Sequence, residues 1–190
     1  MRLDKLKEHF GDRVEIEWKA FFLRTGPRDW ERQDFLNYTQ SWLRPKEMEP
    51  GLDFNVWATD DPQPHSSVEA HVAFKVLEEL APDNAKAYHD RILKAYFTDN
   101  RDISNADILT QLAVEVGVDA DAFQQAMATR GDAMTELAYE EYKSASSQGI
   151  TSIPTVVFEH EFQVPGAQPL STYEEIVEKI EEQLASQGEQ

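Results

Sequence analysis

Two hydrophobic periods share this chain, and their order along it predicts its organisation. Leu3, Leu6 and Phe10 recur at helical spacing, and Gly11-Asp12 supplies a stop and a turn. From Val14 apolar and polar residues alternate, and the run becomes wholly apolar by Ala20-Phe-Phe-Leu23. This pattern predicts a strand over 14–23 that enters the interior, ended by Thr25-Gly-Pro27. Helical spacing then dominates. Trp30, Phe35, Tyr38 and Trp42 define a helix over 29–43, broken by Pro45 and Pro50-Gly51, and a proline-bearing loop covers 58–67. Ser66 or Ser67 caps a helix over 68–80, and Pro82-Asp83 starts another that reaches Tyr96 and Phe97. Ser104-Asn-Ala-Asp107 resembles a capping box ahead of Ile108, Leu109, Leu112 and Val116, with Gly117 as the stop. A short helix over 119–130 and a longer one over 132–148, stopped by Gly149, complete this region.

The tail changes period again. Pro154-Thr-Val-Val-Phe158 is apolar and β-branched, as in a buried strand. His160-Glu161 fits a tight turn, Phe162-Gln-Val164 reads as a second strand, and Ser171 caps a last amphipathic helix carrying Tyr173, Ile176, Val177, Ile180 and Leu184. The order is helix, strand, a long helical stretch, then strand, strand, helix. That order predicts an α/β domain split by a helical insertion, with boundaries at 1–28, 29–148 and 149–190.

Composition narrows the function classes. The 190 residues are enough for one domain with a real core. Acids outnumber bases 36 to 18, a formal charge of −18, which argues against nucleic-acid or anionic-membrane binding because both rest on clustered Lys and Arg. The same excess fits either heavily charged helix faces or a salty cytoplasm in which salt screens the repulsion. No apolar run approaches the ~20 residues of a membrane helix, and the charged N-terminal stretch is unlike a secretory signal, so a cytoplasmic location is expected. There is no cysteine, hence no disulfide and no thiolate chemistry from these residues.

Four stretches carry a family resemblance: Asp12-Arg-Val-Glu-Ile-Glu-Trp-Lys-Ala-Phe-Phe-Leu23, His65-Ser66 followed by Ala70-His71, Gly149-Ile-Thr-Ser-Ile-Pro-Thr-Val-Val-Phe158, and Val164-Pro-Gly-Ala-Gln-Pro169. Together and in this order they resemble the DsbA family, in particular its FrnE-type predicted dithiol-disulfide isomerases, near the kappa glutathione transferases and hydroxychromene carboxylate isomerases. The resemblance implies a thioredoxin-like α/β fold with a large all-helical, DsbA-like insertion. It implies that Ile153-Pro154 is a cis bond beside the functional site, where the backbone of Ile153 is free to pair with an extended substrate or a thiol compound. Spacing alone would favour an ordinary trans proline opening a strand.

Members of that family begin with a strand and a Cys-Pro-x-Cys type motif, whereas Met1 here falls inside the first helix. The expectation is therefore a thioredoxin-like fold with its first β-strand missing. In such sheets that strand lies centrally, so either the sequence in hand starts too late or the sheet has closed across the gap, the former being the preferred expectation. An open or re-paired edge is expected near 14–23 or 154–158, with a homodimer as one way to cover it. The implied activity is thiol-disulfide oxidoreductase or isomerase, redox-inactive as this cysteine-free chain stands. The alternatives are a redox-dead protein binding an extended peptide or small thiol, and a glutathione-binding, kappa-transferase-like relative. The expected partners are protein thiols or disulfides, or a small thiol compound.

The candidate substrate- or thiol-binding residues are Ile153, Pro154, His71 and Gln168; no catalytic residue, metal ligand or cofactor is expected. His71 matches a histidine of the FrnE-like pattern expected to face the cleft, against a structural role in the helix. Gln168 lies in a segment where it could reach a ligand. His65 stands where the pattern usually has asparagine, which puts a contact role there in doubt. None of the five histidines has zinc-ligand spacing. Trp30, Trp42 and Trp57 could line a cleft, though packing in an aromatic core is the more common use of such residues.

Overall fold

A computed structural model describes residues 2–22, 31–49 and 51–188. The predicted Thr25-Gly-Pro27 stop and Trp30 lie outside the described residues. Eight helices are described: α1 (Arg2–Phe10), α2 (Arg32–Thr39), α3 (Leu43–Met48), α4 (Val68–Leu80), α5 (Pro82–Phe97), α6 (Ala106–Glu115), α7 (Ala120–Ser147) and α8 (Leu170–Gly188). One antiparallel hairpin, β1 (Thr155–Phe158) and β2 (Phe162–Pro165), is the sheet among the described residues. The chain forms two compact units, one from 1–23 with 144–190 and the other from 24–143.

In the first unit, α1, α8 and the hairpin share one core. Leu6 and Phe10 of α1 meet Tyr173 and Val177 of α8, and Val14, Val156, Phe158 and Val164 pack around them. Alternation places Val156 and Phe158 of β1 on the core face and leaves Val157 on the other. Arg13 stacks over the Phe10 ring at 4.8 Å and donates to both carboxylate oxygens of Glu181 at 2.8 Å. Residues 14–22 keep the alternation of a strand, with Val14, Ile16, Trp18, Ala20 and Phe22 turned inward and Glu15, Glu17 and Lys19 exposed. They join no ladder among the described residues, so the strand predicted over 14–23 is not formed there. Apolar alternation sets which face is buried and does not by itself define a ladder.

In the second unit, Phe35, Trp42 and Trp57 form an aromatic core with Phe54, Tyr96 and Phe97. Trp42 and Trp57 are therefore core residues, through edge-on contacts such as Phe35–Trp57 at 5.1 Å. Helix α4 is buried from Val72 to Leu77, and the Tyr88 hydroxyl donates to the Leu109 carbonyl at 3.0 Å.

Several local expectations need correction. Pro45 does not end a helix; it sits in the first turn of α3, where its missing N–H has no helical partner to lose. Gly131 does not split the long helix, because α7 runs continuously through it. Ser171 lies inside α8, which begins at Leu170. Asn105 rather than Ser104 caps α6, accepting from the N–H groups of Asp107 and Ile108. Ser66 Oγ accepts from Val68 N–H at 2.9 Å, while Ser67 occupies the cap position without a side-chain bond.

The hairpin turn is centred on Glu159-His160, one residue earlier than predicted, and Glu161 N–H donates to Phe158 O at 3.0 Å. Glu159 and His160 both have positive φ, 48° and 60°. That backbone suits the twist of a hairpin but costs residues with a Cβ about 1 kcal/mol each. A Glu159→Asn, His160→Gly double variant is expected to raise stability by about 1 kcal/mol, read as a higher urea midpoint. An unchanged or lower midpoint would contradict this account of the turn.

Candidate functional site

The candidate site is built on the segment entering β1. The Ile153–Pro154 peptide is cis, and Pro154 O accepts from Gly166 N–H at 2.8 Å across the hairpin. That bond fixes the ladder's alternation. With Thr155 opposite Pro165 and Val156 opposite Val164, the bonded positions of β1 are 154, 156 and 158. The N–H and C=O groups of Thr155 and Val157 therefore point to the other edge of β1, beside which no strand lies among the described residues. Ile153 makes no backbone hydrogen bond among the described residues, and its side chain is 49% exposed.

Gln168 braces this region. Its side-chain nitrogen donates to Pro165 O at 2.8 Å, which leaves the amide oxygen for another partner. Its backbone N–H donates to the Tyr173 hydroxyl at 3.2 Å, and Arg2 donates to its carbonyl at 2.9 Å. Ile153, Pro154 and Gln168 thus belong to one unit and flank the open end of the hairpin.

His71 belongs to the other unit, on α4. Burial, then the charges of Lys75 and His89, hold its imidazole down to about 4, against a smaller opposing effect of Glu141. It is therefore neutral at pH 7. Lys75, 5% exposed, pairs with Glu141 of α7 at 2.6 Å, a pair the sequence reading missed. Its signal was a lysine set inside the apolar run Val72-Ala-Phe-Lys-Val-Leu77, since a cation there needs a buried carboxylate. His65, also on this unit, holds Ser104 Oγ at 2.8 Å through Nδ1 and Glu69 at 3.3 Å through Nε2. No group of three or more metal-ligating side chains is found among the described residues, nor is any described helix long and apolar enough to cross a membrane.

The His71 shift has a signed consequence for stability. Between its ordinary 6.5 and about 4, the unfolded chain takes up a proton that the native imidazole refuses. Stability from this group is intact above about 6.5 and is lost as pH falls toward 4, by about 1.4 kcal/mol per pH unit at most. Urea titrations from pH 7 to pH 5 should show a steeper loss for the parent chain than for His71→Gln. Parallel curves would rule this out.

The chain matches the DSBA-like thioredoxin domain over residues 1–178. It is 29% identical over 173 residues, 88% of this chain and 82% of the other, to the uncharacterized protein YwbO of Bacillus subtilis (strain 168). Its fold is similar to that of a putative protein disulfide isomerase from Nitrosomonas europaea, with a TM-score of 0.76 at 12% identity, covering 96% of this chain and 89% of that one. It is similar also to the probable DsbA oxidoreductase SCO1869 from Streptomyces coelicolor (TM-score 0.73, 21% identity, 94% and 81% covered). The cytosolic disulfide reductase DsbM from Pseudomonas aeruginosa, in its structure with GSH, gives 0.67 at 17% identity, with 97% and 91% covered. The hairpin-and-helix core, the helical stretch within it and the match along residues 1–178 place this chain in the DSBA-like thioredoxin domain family.

Proposed function

We propose that this chain is a cytoplasmic, FrnE-like member of its family that holds an extended thiol- or disulfide-bearing peptide, glutathione being the smallest such ligand. The backbone of Ile153, Thr155 and Val157 is the docking edge. The observation that carries the reading is that open edge, which begins at the cis Ile153–Pro154 bond. A peptide laid along it would satisfy the N–H and C=O groups that the hairpin leaves over, with the exposed Ile153 side chain against it. Gln168, in the same unit, would offer its free amide oxygen. The chain itself does not exchange disulfides in this reading. Exchange proceeds by attack of a thiolate, and its 190 residues contain no cysteine. A GSH-bound disulfide reductase among the structural neighbours supports thiol compounds as the ligand class.

The purified chain is expected to catalyse dithiothreitol- or glutathione-coupled insulin reduction at background rate only. Titration with a ten-residue cysteine-containing peptide should shift the Ile153, Thr155 and Val157 amide resonances. Val157→Pro removes an N–H from the open edge and none from the β1–β2 ladder, so it should weaken the peptide by about tenfold or more. Glutathione, reaching only the Ile153 end, should be spared. Insulin reduction above background, or peptide binding untouched by Val157→Pro, would reject the proposal. A concentration-dependent dimer lost in Val157→Pro would assign the edge to a second copy instead.

A further inference from the structure

The helical unit contains a cavity that the reading above does not use. Its volume is about 330 Å³, and Val72 of α4, Leu109 of α6 and Met127 of α7 give it an apolar wall. That size lies at the lower end for small-molecule sites. The charged residues lining it are Glu69 and Asp132, both acidic; no lysine or arginine lines it among the described residues.

We propose that this cavity binds a small primary amine with an apolar body, its ammonium group held by Glu69. Two further observations support this. Glu69 Oε1 lies 3.3 Å from His65 Nε2, whereas Oε2, on a side chain that is 38% exposed overall, is a buried atom with no hydrogen-bond partner among the described residues. A buried acceptor left unmade is unfavourable, and an ammonium N–H is the donor that meets it with charge assistance. Ser104 Oγ donates to Asp102 Oδ1 at 2.5 Å and lies 2.8 Å from His65 Nδ1. The second observation is Gly131. It lies in the interior of the 28-residue α7, where glycine disfavours helix, and it lines the cavity. A Cβ built there would meet nothing within 4 Å, so no neighbouring side chain or backbone requires the glycine. What its missing side chain does leave is room in the cavity.

The inference is tested with 2-phenylethylamine, its neutral isostere 2-phenylethanol and its anionic isostere phenylacetate, titrated into the full chain by calorimetry at about 0.15 M salt. The amine should bind saturably at one site, about tenfold or more tighter than the alcohol, and phenylacetate should not bind. Glu69→Gln should weaken the amine by about tenfold, whereas Glu178→Gln, an equal change in net charge on exposed α8, should not. Gly131→Leu should abolish binding, and Gly131→Ala should retain it, with far-UV circular dichroism confirming that each variant is folded. If Gly131→Leu fails to fold, the Glu69–Glu178 comparison decides. Absence of saturable amine binding would overturn the proposal, as would equal affinity for the alcohol or equal losses in Glu69→Gln and Glu178→Gln. The last result would assign the attraction to the diffuse field of the −18 charge. Amine binding unchanged in folded Gly131→Leu would place the amine elsewhere.

Discussion

A backbone hydrogen-bond ladder has two sides, and among the described residues β1 uses one of them. The Pro154–Gly166 bond fixes which residues face β2, and every odd position from 153 to 157 is thereby committed to the opposite edge. The core sets the rest. Phe158 lies against Tyr173, with ring centroids 6.2 Å apart, and Val156 packs on the Leu6, Phe10 and Val177 cluster, so the hairpin cannot rotate to bury its outer face without giving up this packing. The candidate site is therefore a by-product of how the unit closes: packing fixes the face, pairing fixes the edge, and the entering cis peptide presents Ile153 at the edge's start.

The helical unit meets a different constraint, the desolvation of charge. Lys75 and Glu141 sit in an environment where a lone ion would cost several kcal/mol, and each is tolerated because the other is 2.6 Å away. The same low-dielectric surroundings, reinforced by the Lys75 charge, keep His71 neutral. Electrostatics here depends on pairs rather than on the net charge of −18, which is spread over exposed helix faces and screened by salt.

Much of the fold was legible because hydrophobic periodicity reports burial directly. The α1, α4, α5 and α8 stripes and the β1–β2 hairpin follow from it, as does the aromatic cluster around Trp42 and Trp57. What periodicity could not report was partnership. Residues 14–22 show a strand's alternation without a ladder among the described residues, and Gly131 and Pro45 read as breakers although neither position loses a bond the helix needs. Ile153 and Pro154 were found through a four-stretch family resemblance, since spacing alone pointed to a trans bond. The Lys75–Glu141 pair and the Glu69–His65–Ser104 chain join residues 66 and 39 or fewer positions apart, and only folding brings them together.

Tyr173 joins two parts of the first unit that would otherwise be independent. Its ring is 3% exposed within the core, yet its hydroxyl accepts from Gln168 N–H and donates to Gly166 O at 3.4 Å. A single rigid side chain thus reads the packing at one end and holds the turn behind β2 at the other. Any substitution that lets the ring tilt, however far from the surface, is transmitted mechanically to the loop bracing Pro165. Deep packing and surface geometry in this unit consequently behave as one linked property, and the interior cannot drift in sequence without retuning what the exterior presents.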